Sequence, residues 1–87
     1  MRTCVWEDRF STELKRIEAD AKRADDLICG IDWVLARDPK SGINIPNTQV
    51  WHIVSRDIPK SRHLVIFYTF SDEKVFFLSV TQSPIEN

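Results

Sequence analysis

Three observations predict an α+β fold. A helical apolar stripe fills residues 10–37, and three strand-like segments crowd the C-terminal half. Between them the chain stops abruptly at Arg37-Asp38-Pro39, with Gly42 just beyond. Proline cannot continue a helix, and the residue before it is pushed towards extended backbone. The predicted order is β-α-α-β-β-β, a helical hairpin packed on one face of a mainly antiparallel sheet, in one domain over residues 1–87.

Each element has its own signal. Met1–Trp6 reads as a short edge strand, with β-branched Thr3 and Val5 alternating with Cys4 and Trp6. The helical stripe then runs Phe10, Leu14, Ile17, Ala21, Ala24, Ile28, Ile31, Leu35, at alternating spacings of four and three. Ser11 or Thr12 can cap its start. A single helix over this span would be about 40 Å long, whereas strands of this protein's length reach only about 20–27 Å. The stripe is therefore expected to break near Asp20–Arg23 into two helices. Gly30, in the middle of the second, costs up to about 1 kcal/mol relative to alanine. Close packing against the first helix is its expected reason. Asp38–Thr48 reads as a loop. Gln49–Arg56, Arg62–Phe70 and Lys74–Thr81 read as strands, joined by Asp57–Ser61 and by a tight turn at Ser71–Lys74. Ser83–Asn87 reads as a frayed tail.

The strands are unusual in being apolar on both faces. In the middle one, Leu64, Ile66, Tyr68 and Phe70 alternate with His63, Val65, Phe67 and Thr69. A half-buried antiparallel strand would alternate apolar with polar residues. Two apolar faces need two covering layers, and the helices suffice for one. An external partner is the expected second layer. The candidate contact residues are Val50, Val54, Val65, Phe67 and Phe77, with Val75 beside them.

Composition narrows the function. The 87 residues carry a net charge of −1 and are 43% hydrophobic, which fits a globular protein and argues against a nucleic-acid-binding domain. No signal-peptide core and no long apolar run is visible, so a cytoplasmic protein with no membrane partner is expected. Cys4 and Cys29 lack metal-ligand or redox spacing and read as reduced packing thiols. Two glycines cannot build a phosphate-binding loop. His52, Arg56 and His63 are the candidate catalytic residues, because histidine titrates near neutrality and can move protons. The plainer reading of both histidines is local hydrogen bonding in a sheet. A shared metal would lack a third ligand, so neither metal nor cofactor is expected. Arg56, Lys60 and Arg62, with Asp57, surround Pro59 and read as a solvated turn. Trp6, Trp33 and Trp51 read as core or interface anchors.

Leu35-Ala36-Arg37-Asp38-Pro39 with Gly42, the run Val50-Trp51-His52-Ile53, and the stretch from Tyr68 to Val80 resemble the RelE/ParE family of bacterial type II toxins. The resemblance covers nearly the whole chain in element order. It implies a helical hairpin on one sheet face and a concave open face. In ribonuclease members that face carries basic residues contacting messenger RNA in the ribosome, a set that gyrase-poisoning members lack. In both branches the antitoxin's C-terminal segment wraps the toxin. This sequence departs from the ribonuclease pattern at Val65, Thr81 and Gln82, where basic residues are expected, and at His52. The resemblance therefore implies a toxin component acting through protein binding, with an antitoxin or a second copy as partner. A ribosome-dependent, metal-independent endoribonuclease is the alternative activity, and a non-toxic homodimeric module the other. Ribosome-bound messenger RNA and gyrase are the targets it brings into view.

Overall fold

The computed structural model describes residues 1–55 and 62–84. The predicted α+β class is observed: two helices and a five-stranded mixed sheet. The elements are β1 (Thr3–Trp6), α1 (Asp8–Ile17), α2 (Ala21–Arg37), a 3-10 turn (Pro39–Ser41), β2 (Ile43–Asn44), β3 (Trp51–Ser55), β4 (Arg62–Phe70) and β5 (Lys74–Pro84). Across the sheet the order is β1-β5-β4-β3-β2. The first strand runs parallel to β5, with Thr3 opposite Lys74 and Trp6 opposite Phe77. All other pairings are antiparallel. No helix among the described residues is long and apolar enough to cross a membrane.

The helical stripe breaks at Glu18–Asp20, just before the expected place. No glycine or proline is needed, because Asp20 supplies a cap. Its carboxylate accepts hydrogen bonds from the backbone amides of Lys22 (3.1 Å) and Arg23 (3.3 Å), two donors that a helix start leaves unpaired. Glu18 fixes the same corner. It accepts from the Asp20 amide and lies 3.7 Å from Arg23. The first helix begins earlier than Ser11 or Thr12 would allow as caps. It starts at Asp8, after Glu7, with no side-chain cap. Asp8 in the first turn and Lys15 and Arg16 in the last complement the helix dipole instead.

Both helices cover one face of the sheet. Phe10 and Leu14 of α1, and Ala24, Ile28, Ile31 and Leu35 of α2, pack with Leu64, Ile66 and Tyr68 of β4 and Val75, Phe77 and Val80 of β5. Trp6, Phe10 and Phe77 form an aromatic cluster, with Phe10 edge-on to both others. Trp6 is held from α2, its indole N–H donating to Asp32 Oδ1 at 3.3 Å. Trp51 is also partly buried against the core. Trp33 is not a core residue; it is 59% exposed.

The segment read as a loop, Asp38–Thr48, holds the 3-10 turn and the short strand β2. Asp38 caps the 3-10 turn through the Lys40 amide. The Tyr68 hydroxyl, fully buried, donates to the Pro39 carbonyl (2.6 Å) and accepts from the Gly42 amide (3.1 Å). Gly42 has no room for a side chain. An added Cβ would collide with the His52 carbonyl oxygen and the Tyr68 hydroxyl. Gly30 is the reverse case and corrects the sequence reading. It is exposed, and nothing lies within 4 Å of where its Cβ would be. It is not at a helix–helix contact.

Candidate functional site

Strand registers decide which residues share the face away from the helices. Phe70 pairs with Val75 across the β4–β5 turn, so even-numbered residues of β4 share a face with odd-numbered residues at the start of β5. Val75 and Phe77 therefore sit under the helices, both 0% exposed. Neither can meet a partner, and Phe77 leaves the candidate set. Phe76, opposite Thr69 and Val5, takes its place on the other face.

The same registers assemble the rest of that face. Ile43 lies opposite His52, His52 opposite Phe67, and Val54 opposite Val65. These residues form a continuous patch from β2 to β4, which Phe76 and Val5 extend towards the β1 edge. Val65, Phe67, Phe76 and Val5 are half-buried. Ile43 is 65% exposed and Val54 39%. Val50 precedes β3 and is half-buried, its carbonyl accepting from the Ile45 amide (2.9 Å) and the Asn44 side chain (3.2 Å). The polar residues whose strand positions fall on this face include His52, His63, Thr3, Thr69 and Thr81. Lys74, opposite Thr3 at the hairpin end, is its one cation among the described residues.

A bulge ends the simple alternation. The pairing steps from Tyr68–Phe77 to Phe67–Ser79 and leaves Leu78 unpaired. Beyond it Val80, an even-numbered residue, is the one buried in the core. Ser79 turns to α1, where its hydroxyl donates to Glu13 at 2.7 Å. The Val80 amide donates to the same oxygen. These bonds, the serine's first, hold the Glu13 carboxyl below its usual range. Neither Ser79 nor Glu13 was singled out in the sequence, since nothing in local spacing marks a bulge.

The proposed catalytic trio is only partly placed. His52 is half-buried, its ring 6.3 Å from that of Phe67. Arg56 lies outside the described residues, as does the Asp57–Ser61 connection. For His63 the structure gives a strand position, opposite Ser83, and no side-chain placement. The registers put His63 four residues along β4 from Phe67, the partner of His52. Four residues of strand span about 13 Å, too far for two imidazoles on one sheet to share a proton or a metal. Among the described residues no group of three or more His, Cys, Asp or Glu is placed to hold a metal ion.

Two titratable groups meet where β1 packs against α2, with the Cys4 Sγ 3.6 Å from the Asp32 carbonyl oxygen. Burial raises Asp32 above the ordinary aspartate range, against the pull of the Trp6 hydrogen bond. Burial, with the Asp32 charge, pushes the Cys4 thiol up as well, which lowers its thiolate fraction. What the open face offers is apolar area, two histidine positions (His52 and His63) and little charge. That suits contact with protein better than with phosphate backbone. No protein-family model matches the chain, and no curated protein matches it.

Proposed function

We propose that the chain is a RelE/ParE-like toxin component that acts by binding proteins, an antitoxin and a cellular target, through the sheet face opposite its helices. The observation that carries this reading is the patch Ile43, Val54, Val65, Phe67 and Phe76, apolar and left uncovered by either helix. Contiguous apolar patches left open to solvent are characteristic of interaction surfaces. The element order β-α-α, then a hairpin-connected meander, supports the resemblance carried by the sequence segments. A catalytic reading has less behind it. Cleaving an RNA backbone needs positive charge where the phosphate gains charge, and losing one such group costs on the order of 10²–10³ in rate. Val65 and Thr81 stand where the resemblance leads one to expect cations.

Induced expression in a bacterial host tests the proposal. Growth arrest is expected without codon-positioned cuts in messenger RNA. Phe67→Asp should relieve the arrest, while His52→Ala should leave it in place. Codon-positioned cuts that His52→Ala or His63→Ala abolishes would replace the binding reading with the endonuclease.

A further inference from the structure

One stripe of α2 faces away from the core and carries two features that the folded chain does not explain. Trp33 is 59% exposed, and the Arg37 guanidinium lies over its ring at 3.9 Å. Gly30, one turn earlier, weakens the helix without making room for anything inside the molecule. Asp26, Gly30, Trp33 and Arg37 follow one another at spacings of four, three and four, and all are exposed. That is the spacing of a helix–helix seam. No element among the described residues packs on it, because the sheet takes the opposite stripe of Ala24, Ile28, Ile31 and Leu35.

The stripe is complementary to itself. Asp26 and Arg37 have no ion pair among the described residues. Eleven residues of helix separate them by about 16 Å, so they cannot meet within one chain. We propose that α2 packs against α2 of a second copy, antiparallel, about a two-fold axis passing between Ile31 and Asp32. Trp33 then covers Gly30 of the second copy, and Arg37 faces its Asp26, with both contacts repeated by symmetry. Gly30 supplies the notch that a large ring needs for two helices to approach closely. A parallel pair would instead set Arg37 on Arg37 and Asp26 on Asp26, which like charges disfavour. A single helix pair buries less than the roughly 800 Å² per partner of a standard interface, so the dimer is expected to be weak and concentration-dependent. This surface lies on the helix layer, so the inference does not rest on the function proposed for the sheet face.

Sedimentation velocity on the purified chain, from low to high micromolar concentration, reads the association. Wild type should shift from monomer towards dimer. Arg37→Asp and Asp26→Arg should each weaken it by about tenfold or more, by setting like charges together. The double variant, Asp26→Arg with Arg37→Asp, should restore it. Gly30→Leu should weaken it while leaving the helical circular dichroism intact, which separates loss of the seam from loss of the fold. A chain that stays monomeric throughout would overturn the proposal. So would single charge variants that associate like wild type, or a double variant that fails to recover. If Phe67→Asp abolishes the association and the α2 variants do not, the second copy sits on the sheet instead and the proposal is wrong.

Discussion

Tyr68 and Gly42 carry more of the architecture than their sequence context suggests. The buried hydroxyl joins β4 to the turn after α2 through two backbone partners. Tyr68→Phe removes both and strands a carbonyl and an amide, so a loss of about 1–3 kcal/mol in urea denaturation is expected. Gly42→Ala should cost a similar amount, about 1–3 kcal/mol, because its methyl group forces apart Tyr68 and the β3 backbone. A glycine after a proline was legible as a turn. That it answers to a tyrosine 26 residues later was not, because the contact is tertiary. The carboxylates give opposite pH signatures. Glu13 is held below its usual range, so its stabilisation is present above the unfolded value of 4.5 and is lost as pH falls through the folded value. Ser79→Ala should shrink that acid-side loss. Asp32 is raised, so its ionisation weakens the fold as pH climbs above the ordinary 3.8. Asp32→Asn keeps an oxygen for the Trp6 indole. It should be the more stable protein at pH 7, with the gain fading as pH drops towards 4 in parallel denaturation curves.

Elements were legible wherever one-dimensional periodicity decides them. Spacings of four and three located the helical region, Pro39 located its end, and the length of the strands required its break. Faces were harder. Alternation assigns two sets of residues within a strand, and only the register says which set faces the helices. The four residues between Phe70 and Val75 switch the numbering from one strand to the next, a rule that turn length alone could have supplied. The bulge at Leu78 switches it again, and no local signal announced it. Helix α2 holds the other reversal. With Gly30 in open space, Gly30→Ala in dilute, monomeric protein should stabilise by up to about 1 kcal/mol through helix propensity. An unchanged or lowered thermal midpoint would mean that the position touches something within the chain.

For the molecule as a whole, two helices cover one side of a sheet whose strands are apolar on both. The core residues of β4 and β5 are at most 2% exposed on the helix side. On the other side Ile43 and Val54 stay exposed, and Val65, Phe67 and Phe76 are covered only in part. Apolar contact area contributes about 25 cal/mol per Å² when water is removed from it, so covering these residues would be favourable. The sequence revealed the imbalance, since one helical stripe cannot serve two apolar faces. The most direct test is titration calorimetry between this chain and the product of its neighbouring reading frame. Phe67→Asp and Asp25→Ala serve as the variant and its surface control. Binding with a negative heat-capacity change, weakened at least tenfold by Phe67→Asp and unaltered by Asp25→Ala, is the predicted result. Equal affinity for the wild type and Phe67→Asp would contradict it.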